Sequence, residues 1–288
     1  MKLTIDSTLE LNDGTSMPLL GFGTYQIANG GSCLRAVAHA LRVGYRHIDT
    51  AAFYGNEASV GKAIRDSGIA REQIYVTTKL WNNAHGDPAR ALERSLGKLK
   101  MDYVDLYLIH YPVPERLRSW GVLEGLRASG KTRSIGVSNF TIRHLTELLA
   151  KTGTVPAVNQ VELHPYLCQR ELLEYCRENH IVIEAYSPLT HGERLADPKL
   201  VAIAKKYPSA RPQMGGAAAP VAGAKSTAQI LIRWALQHDI VVIPKSANGQ
   251  RIIEDADVFD FAISADDLRT LDGFNENLRT CWDPTNAP

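Results

Sequence analysis

The chain has almost no net charge. Its 32 Lys and Arg residues stand against 31 Asp and Glu, a formal balance of +1. That excludes the strongly basic face with which proteins grip nucleic acid. Any anionic ligand must be held by a few local cations, not by a global field. Cysteine is scarce. Cys33, Cys168, Cys176 and Cys281 form no C-x-x-C pair and are too few for a disulfide scaffold. They read as reduced thiols in a cytoplasmic protein. Long apolar runs are missing too. The N-terminal MKLTIDSTLE lacks the apolar centre of a signal peptide, and the uncharged stretch Pro212–Ala224 is too short and too rich in Gly and Pro to span a bilayer. The nine histidines include no H-E-x-x-H and no close pair at ligand spacing, so no metal site is expected. The expected partner is a small molecule, not nucleic acid or membrane, and the expected state is a monomer.

What is present is alternation. Short apolar runs at Met17–Gly23, Tyr45–Asp49, Ile74–Thr78, Tyr103–Ile109, Ser134–Val137, Ala157–Val161, Ile181–Tyr186 and Ile240–Ile243 are separated by stretches with helical spacing. Asp87 followed by Pro88 marks one helix start, over Pro88–Lys100. Helices are also predicted over Ser32–Val43, Glu57–Ser67, Trp120–Ala128, Thr141–Ala150, Gln169–Asn179, Pro198–Tyr207 and Thr227–Gln237. Thr4–Leu11 with Asn12-Asp13-Gly14 reads as a short hairpin ahead of the first repeat. Eight strands alternating with helices predict parallel βαβ units closed into one (β/α)8 barrel, a single domain over residues 1–288. A doubly wound dinucleotide fold is the competitor, but Gly21-Phe22-Gly23-Thr24-Tyr25-Gln26 ends in Gln26 and opens no helix. The predicted strand ends near Asp49, Lys79, His110, Ser138, Gln160 and Tyr186 lie 22 to 31 residues apart, whereas Tyr186 and Lys245 lie 59 apart. The surplus is assigned to an extra helix and to a surface loop at Pro208–Ala224.

Polar residues at the C-terminal ends of barrel strands face the active-site mouth. Asp49, Lys79 and His110 fall there, with Tyr54 just beyond Asp49. Taken singly, each also reads as a loop cap, a solvated strand end, a packed histidine or a surface aromatic. Together they suit protonation of an oxyanion: an ammonium favours the phenolate of a tyrosine, a carboxylate holds the lysine, and a histidine orients a carbonyl. At the last strand, Lys245 and Ser246 with Arg251 form a candidate phosphate cradle, since that corner of a barrel often holds phosphate. Gly136-Val137-Ser138-Asn139-Phe140 lacks the final Gly of a hydrolase nucleophile elbow. Schiff-base chemistry on Lys79 stays open as an alternative.

Asp49-Thr50-Ala51 with Tyr54-Gly55-Asn56-Glu57, then Thr78-Lys79-Leu80-Trp81, Leu108-Ile109-His110-Tyr111-Pro112, Gly136-Val137-Ser138-Asn139-Phe140, Asn159-Gln160-Val161-Glu162, Tyr186-Ser187-Pro188-Leu189 and Ile243-Pro244-Lys245-Ser246 resemble the aldo-keto reductase family, in order, from about Leu11 to Phe261. The resemblance implies a barrel that binds NADPH without a dinucleotide-fold domain and reduces aldehydes or ketones to alcohols. It makes Tyr54 the general acid, with Lys79 depressing its pKa, Asp49 paired with Lys79, and His110 orienting the small-molecule carbonyl substrate. Ser138, Asn139 and Gln160 would hold the nicotinamide carboxamide, and Tyr186 would stack on the ring. Ser187 and Leu189 would line the pyrophosphate, with Gly23 and Thr24 also against the cofactor. Lys245, Ser246 and Arg251 would bind the 2′-phosphate, and Glu254 would reach toward adenine. Tyr25, Trp81 and Tyr111 are expected to wall the substrate pocket, with Trp120 and Trp282 as further candidates.

The chain departs from the family pattern in places. Asp255 stands where an Asn is common, and Tyr111 where a Trp is common. The segment Pro112–Trp120 is short for the family, which implies an open mouth, and Cys281-Trp282-Asp283-Pro284 is placed to fold over that mouth. Some barrels of this resemblance sense cofactor without useful turnover, and the intact Tyr, Lys, Asp and His set argues against that reading.

Overall fold

The computed structural model describes residues 3–209 and 223–288. A two-stranded antiparallel hairpin, β1 (Thr8–Glu10) and β2 (Ser16–Pro18), precedes the barrel. The barrel strands are β3 (Phe22–Gly23), β4 (His47–Asp49), β5 (Tyr75–Leu80), β6 (Val104–Ile109), β7 (Thr132–Ser138), β8 (Val158–Glu162), β9 (Val182–Tyr186) and β10 (Val241–Val242). Each pairs in parallel with its sequence neighbour. The first and last ends meet: Leu20 bridges Val242, Gly21 N donates to Val242 O at 2.9 Å, and Gly23 N donates to Pro244 O at 3.0 Å. The predicted (β/α)8 barrel is therefore observed, with the predicted hairpin in front of it. One boundary differs. The run Met17–Gly23 is divided between the hairpin, which takes Met17 and Pro18, and the barrel, which takes Phe22 and Gly23.

The sheet is covered on both sides, inside by its own side chains and outside by helices, so most of its strand residues are buried. Every residue of Tyr75–Leu80 and Val104–Ile109 is buried. The helices outside follow local signals. In α3 (Pro88–Leu99), Pro88 sits in the first turn and the Asp87 side chain accepts from Arg90 N at 3.1 Å, while Lys100 closes the helix in the left-handed region at φ 54°. In α8 (Thr227–Gln237), Ser226 Oγ accepts from Gln229 N at 3.2 Å and Gln229 Oε1 accepts from Ser226 N at 2.8 Å, a reciprocal capping box.

Three expectations change. The helix predicted to start at Trp120 starts at Arg116 and runs to Ala128, so the supposedly short Pro112–Trp120 loop is half helical. Trp120 is fully buried in the core and does not belong to the pocket. Beyond Lys245 the chain forms two helices that hydrophobic runs did not reveal, Gly249–Ala256 and Ala265–Asp272, although Asn248 and Ser264 cap them through side-chain oxygens. The Pro208–Ala224 loop begins as an antiparallel neck, where Pro208 bridges Ala224 and Ser209 N donates to Gly223 O at 2.8 Å; its residues 210–222 lie outside the described residues. All four cysteines are free, as expected. No helix among the described residues is long and apolar enough to cross a membrane.

One close approach yields a prediction. Gly61, in the helix Glu57–Asp66, lies so near the end of α3 that a Cβ would meet the backbone oxygen of Leu99 at 2.0 Å. Backbone cannot step aside as a flexible side chain can. Gly61→Ala is expected to destabilise the fold by about 1–3 kcal/mol, the usual cost of overpacking, read as a lowered urea midpoint with an unchanged slope.

Candidate active site

The strand ends bring four of the predicted residues together. Register pairs Gly23 with Asp49 and Asp49 with Thr77, which sets Lys79 two residues further on beside Asp49. Lys79 is fully buried, and its Nζ donates to Asp49 Oδ1 at 2.7 Å, Asp49 Oδ2 at 2.6 Å, Thr50 O at 3.0 Å and Tyr54 Oη at 3.3 Å. A short 3-10 turn, Ala52–Tyr54, carries the tyrosine back over the lysine, whose Nζ lies 5.0 Å from the ring centroid. Tyr54 is packed between Tyr25 and His110, at centroid distances of 5.0 and 5.8 Å.

The electrostatics differ from the expectation in one respect. Lys79 does not bring the Tyr54 pKa below its ordinary range. Burial first, and then the Asp49 carboxylate, push the phenol well above its ordinary range. The Asp49 carboxylate, paired with the Lys79 ammonium, opposes that cation's pull on the phenol. His110 is pushed the other way. Burial and the Lys79 ammonium hold its pKa well below the usual imidazole value, so its ring is neutral at physiological pH. Its Nδ1 has no hydrogen-bond partner among the described residues.

A cavity of about 940 Å³ runs from this cluster to the end of the barrel at β10. Tyr54, His110 and Tyr111 line one end of it, with the exposed rings of Tyr25 and Trp282 at the mouth beside them. Ser138, Asn139 and Gln160 follow along the wall, and Tyr186 Oη donates to Asn139 Oδ1 at 2.7 Å, which fixes both side chains. Asn139 Nδ2 donates to His110 O at 3.0 Å, and Ser138 Oγ to Gln160 O at 2.9 Å. Gln160 Nε2 reaches inward, to Asp49 Oδ2 at 2.9 Å and Glu184 Oε2 at 2.8 Å. Gly23, Ser187 and Leu189 line the middle, and Lys245, Ser246, Arg251 and Glu254 the far end. Lys245 and Arg251 are exposed and make no ion pair among the described residues.

Two predicted contacts are absent from the wall. Thr24 is fully buried behind it, with Oγ1 donating to Asp49 O at 2.8 Å. Trp81 stands behind Phe53, its ring stacked on Phe53 at 3.8 Å and 5.2 Å from His110. Phe53, which sequence reasoning overlooked, faces the cavity in its place. Glu184 was overlooked as well, although a lone charge inside the run Ile181–Tyr186 was a visible signal. Left-handed backbone at Ser187, Thr190 and His191 folds the segment after β9 over the cavity, and His191 Nε2 lies 3.0 Å from Ser187 Oγ and 3.3 Å from Cys281 Sγ. The tail predicted to cover the mouth does reach it: Trp282 meets Tyr111 edge-on at 5.1 Å.

A closed parallel barrel with its polar cluster at the strand C-termini and a long groove beside it defines an oxidoreductase of the (β/α)8 class. The chain belongs to the aldo/keto reductase family, whose model matches residues 19–276. It is 43% identical over 287 residues to the glyoxal reductase of Bacillus subtilis, covering 99% of this chain and 98% of the relative. It is 42% identical over 287 residues to the methylglyoxal reductase DkgA of Yersinia pestis, covering 98% of each. Among solved structures, the Bombyx mori aldo-keto reductase in complex with NADP superposes with a TM-score of 0.87 at 35% identity, covering 99% of both chains.

Proposed function

We propose that this single-domain barrel is an NADPH-dependent reductase that converts small aldehydes or ketones to alcohols, with Tyr54 as the general acid. One observation carries the reading: Lys79, buried and bound to both oxygens of Asp49, holds its ammonium 3.3 Å from the Tyr54 hydroxyl, with neutral His110 on the other side of the phenol. The names of the relatives, which reduce glyoxal and methylglyoxal, favour small dicarbonyls among the substrates.

The cavity fits the cofactor by its chemistry. Asn139 and Gln160 are amide side chains suited to a carboxamide, Tyr186 offers a ring held in place by Asn139, and Lys245 and Arg251 are exposed cations at the opposite end. When bound, reduced nicotinamide supplies a hydride to the carbonyl carbon. His110 directs the carbonyl oxygen toward Tyr54. The Tyr54 hydroxyl gives its proton to that oxygen, and the Lys79 ammonium stabilises the phenolate left behind. A phenol held protonated by its surroundings is in the form an acid needs, and the adjacent cation makes proton release less costly. Phe53, Tyr111 and Trp282 give this end of the cavity aromatic walls suited to a flat carbonyl compound. Schiff-base chemistry at Lys79 is disfavoured, because its nitrogen is fully buried and surrounded by four acceptors.

A panel of carbonyl compounds assayed with NADPH and NADH in parallel tests the reading. Faster oxidation of NADPH with a dicarbonyl is expected; no carbonyl-dependent oxidation of either cofactor would sink it. Lys245→Ala and Arg251→Ala are each expected to weaken NADPH binding roughly 5- to 10-fold, the ~1 kcal/mol scale of a solvent-exposed charged contact, while leaving NADH binding unchanged. Fluorescence titration measures both. Equal losses for the two cofactors would remove these cations from the 2′-phosphate.

A further inference from the structure

The barrel interior holds a second carboxyl group that this reaction scheme leaves unused. Glu184, in the middle of β9, is fully buried. Its Oε2 and Asp49 Oδ2 accept from the same atom, Gln160 Nε2, at 2.8 and 2.9 Å. Two carboxyl groups thus share one amide in the wall of the catalytic cluster. The groups facing Glu184 are His47 and Asp49 from β4, Tyr75 and Lys79 from β5, Gln160 from β8, and Tyr54 on the turn after β4. On β10 its register partner is the apolar Val241.

Lys79 is the one cation in this set, and its nitrogen already contacts both Asp49 oxygens. His47 does not add a second. Burial and the Lys79 ammonium push its pKa down to about 3, and its Nε2 lies 3.6 Å from Glu184 Oε1 but 3.1 Å from Thr77 Oγ1. Glu184 Oε1 has no hydrogen-bond partner among the described residues. An ionised carboxylate buried with one donor and no cation of its own is very costly, and the usual escape is to keep the proton.

We propose that Glu184 is a positioning residue of the catalytic centre: it carries a proton in the working enzyme, keeping the buried cluster at one cation and one anion, and the centre weakens when that proton leaves. The proposal rests on the reading of Tyr54 as the acid. Burial, and next the Asp49 carboxylate, push Glu184 up to about 8, against the opposing pull of Gln160 and Lys79. Ionised, Glu184 is a negative charge that raises the Tyr54 pKa alongside Asp49. A weaker acid protonates the carbonyl oxygen more slowly.

The test compares the wild type with Glu184→Gln and Glu184→Leu, neither of which titrates. For each enzyme, kcat/KM for carbonyl reduction at pH 9 is divided by its own value at pH 6.5. The wild-type ratio is expected to fall roughly tenfold, as for one ionisation centred about a unit below pH 9. At least one variant that folds is expected to hold its ratio within about twofold. A flat wild-type ratio, or variants that fall as steeply as the wild type, would overturn the proposal. A second arm needs no turnover: urea unfolding of the protein alone at pH 5, 7 and 9. Between the ordinary glutamate value of 4.5 and about 8, the folded state holds a proton that the unfolded chain releases. Stability therefore falls as pH rises through that window and levels off above it. The variants are expected to lose part of this fall, and an identical fall in all three would also overturn the proposal. If the wild type reduces no carbonyl at any pH, the reading of Tyr54 fails, while the unfolding arm still decides the protonation of Glu184.

Discussion

Tyr54→Phe is expected to slow carbonyl reduction by roughly 10²–10⁴-fold, the range general acids contribute, while NADPH binding changes by less than about twofold. The substitution removes one oxygen and leaves the ring. That ring packs on Tyr25 and His110 and lies over the Lys79 ammonium, so the wall of the cavity keeps its shape. The lost oxygen accepts one of four contacts made by Lys79, and the remaining three keep the lysine in place. The variant therefore separates proton delivery from architecture. Stopped-flow oxidation of bound NADPH gives the rate, and fluorescence titration gives the affinity. A variant with full rate would remove Tyr54 from the chemistry, and one that lost binding in proportion to rate would make it a structural residue.

Lys79→Met is expected to damage stability and activity together, for different reasons. Asp49 is 1% exposed and would lose the cation that contacts both of its oxygens, leaving it with the Gln160 amide. Breaking a buried pair by removing one partner costs about 3–5 kcal/mol. Adding Asp49→Asn to that variant removes the stranded charge, so a good part of the stability should return. Activity should not return, since the phenolate formed on proton transfer still lacks its neighbouring cation. Chemical denaturation and NADPH oxidation on the single and double variants check this. Recovery of rate along with stability would mean that Lys79 serves the fold alone.

Much of this was legible in the sequence, for identifiable reasons. Barrel strands are short apolar runs, and polar residues at their C-terminal ends stand out against them; hence Asp49, Lys79 and His110 were placed by counting alone. Helix starts with a strong cap, such as Asp87-Pro88, were read correctly. The start at Arg116 was not, because Arg116–Ser119 interrupts the apolar spacing and only tertiary packing makes it helical. Trp120 looked like a pocket wall because aromatic character does not tell which face of a helix is buried. Thr24 sits next to the wall residue Tyr25 yet turns behind the wall, since adjacent side chains along an extended backbone point opposite ways, and Trp81 is covered by the stacked ring of Phe53. The raised pKa of Tyr54 comes from its burial and from the Asp49 carboxylate, which spacing along the chain does not show. The paired carboxyls Asp49 and Glu184 come from strands far apart in the chain and meet only through Gln160.

The central claim is that this cavity passes a hydride from NADPH to a carbonyl carbon. It is tested most directly by turning over a small dicarbonyl with NADPH carrying deuterium in place of both hydrogens at nicotinamide C4 and analysing the alcohol by mass spectrometry and NMR. The account predicts one deuterium per product molecule, on the carbon that bore the carbonyl oxygen, with the hydroxyl proton drawn from solvent. Alcohol formed without that label, or NADPH consumed without alcohol, would contradict it.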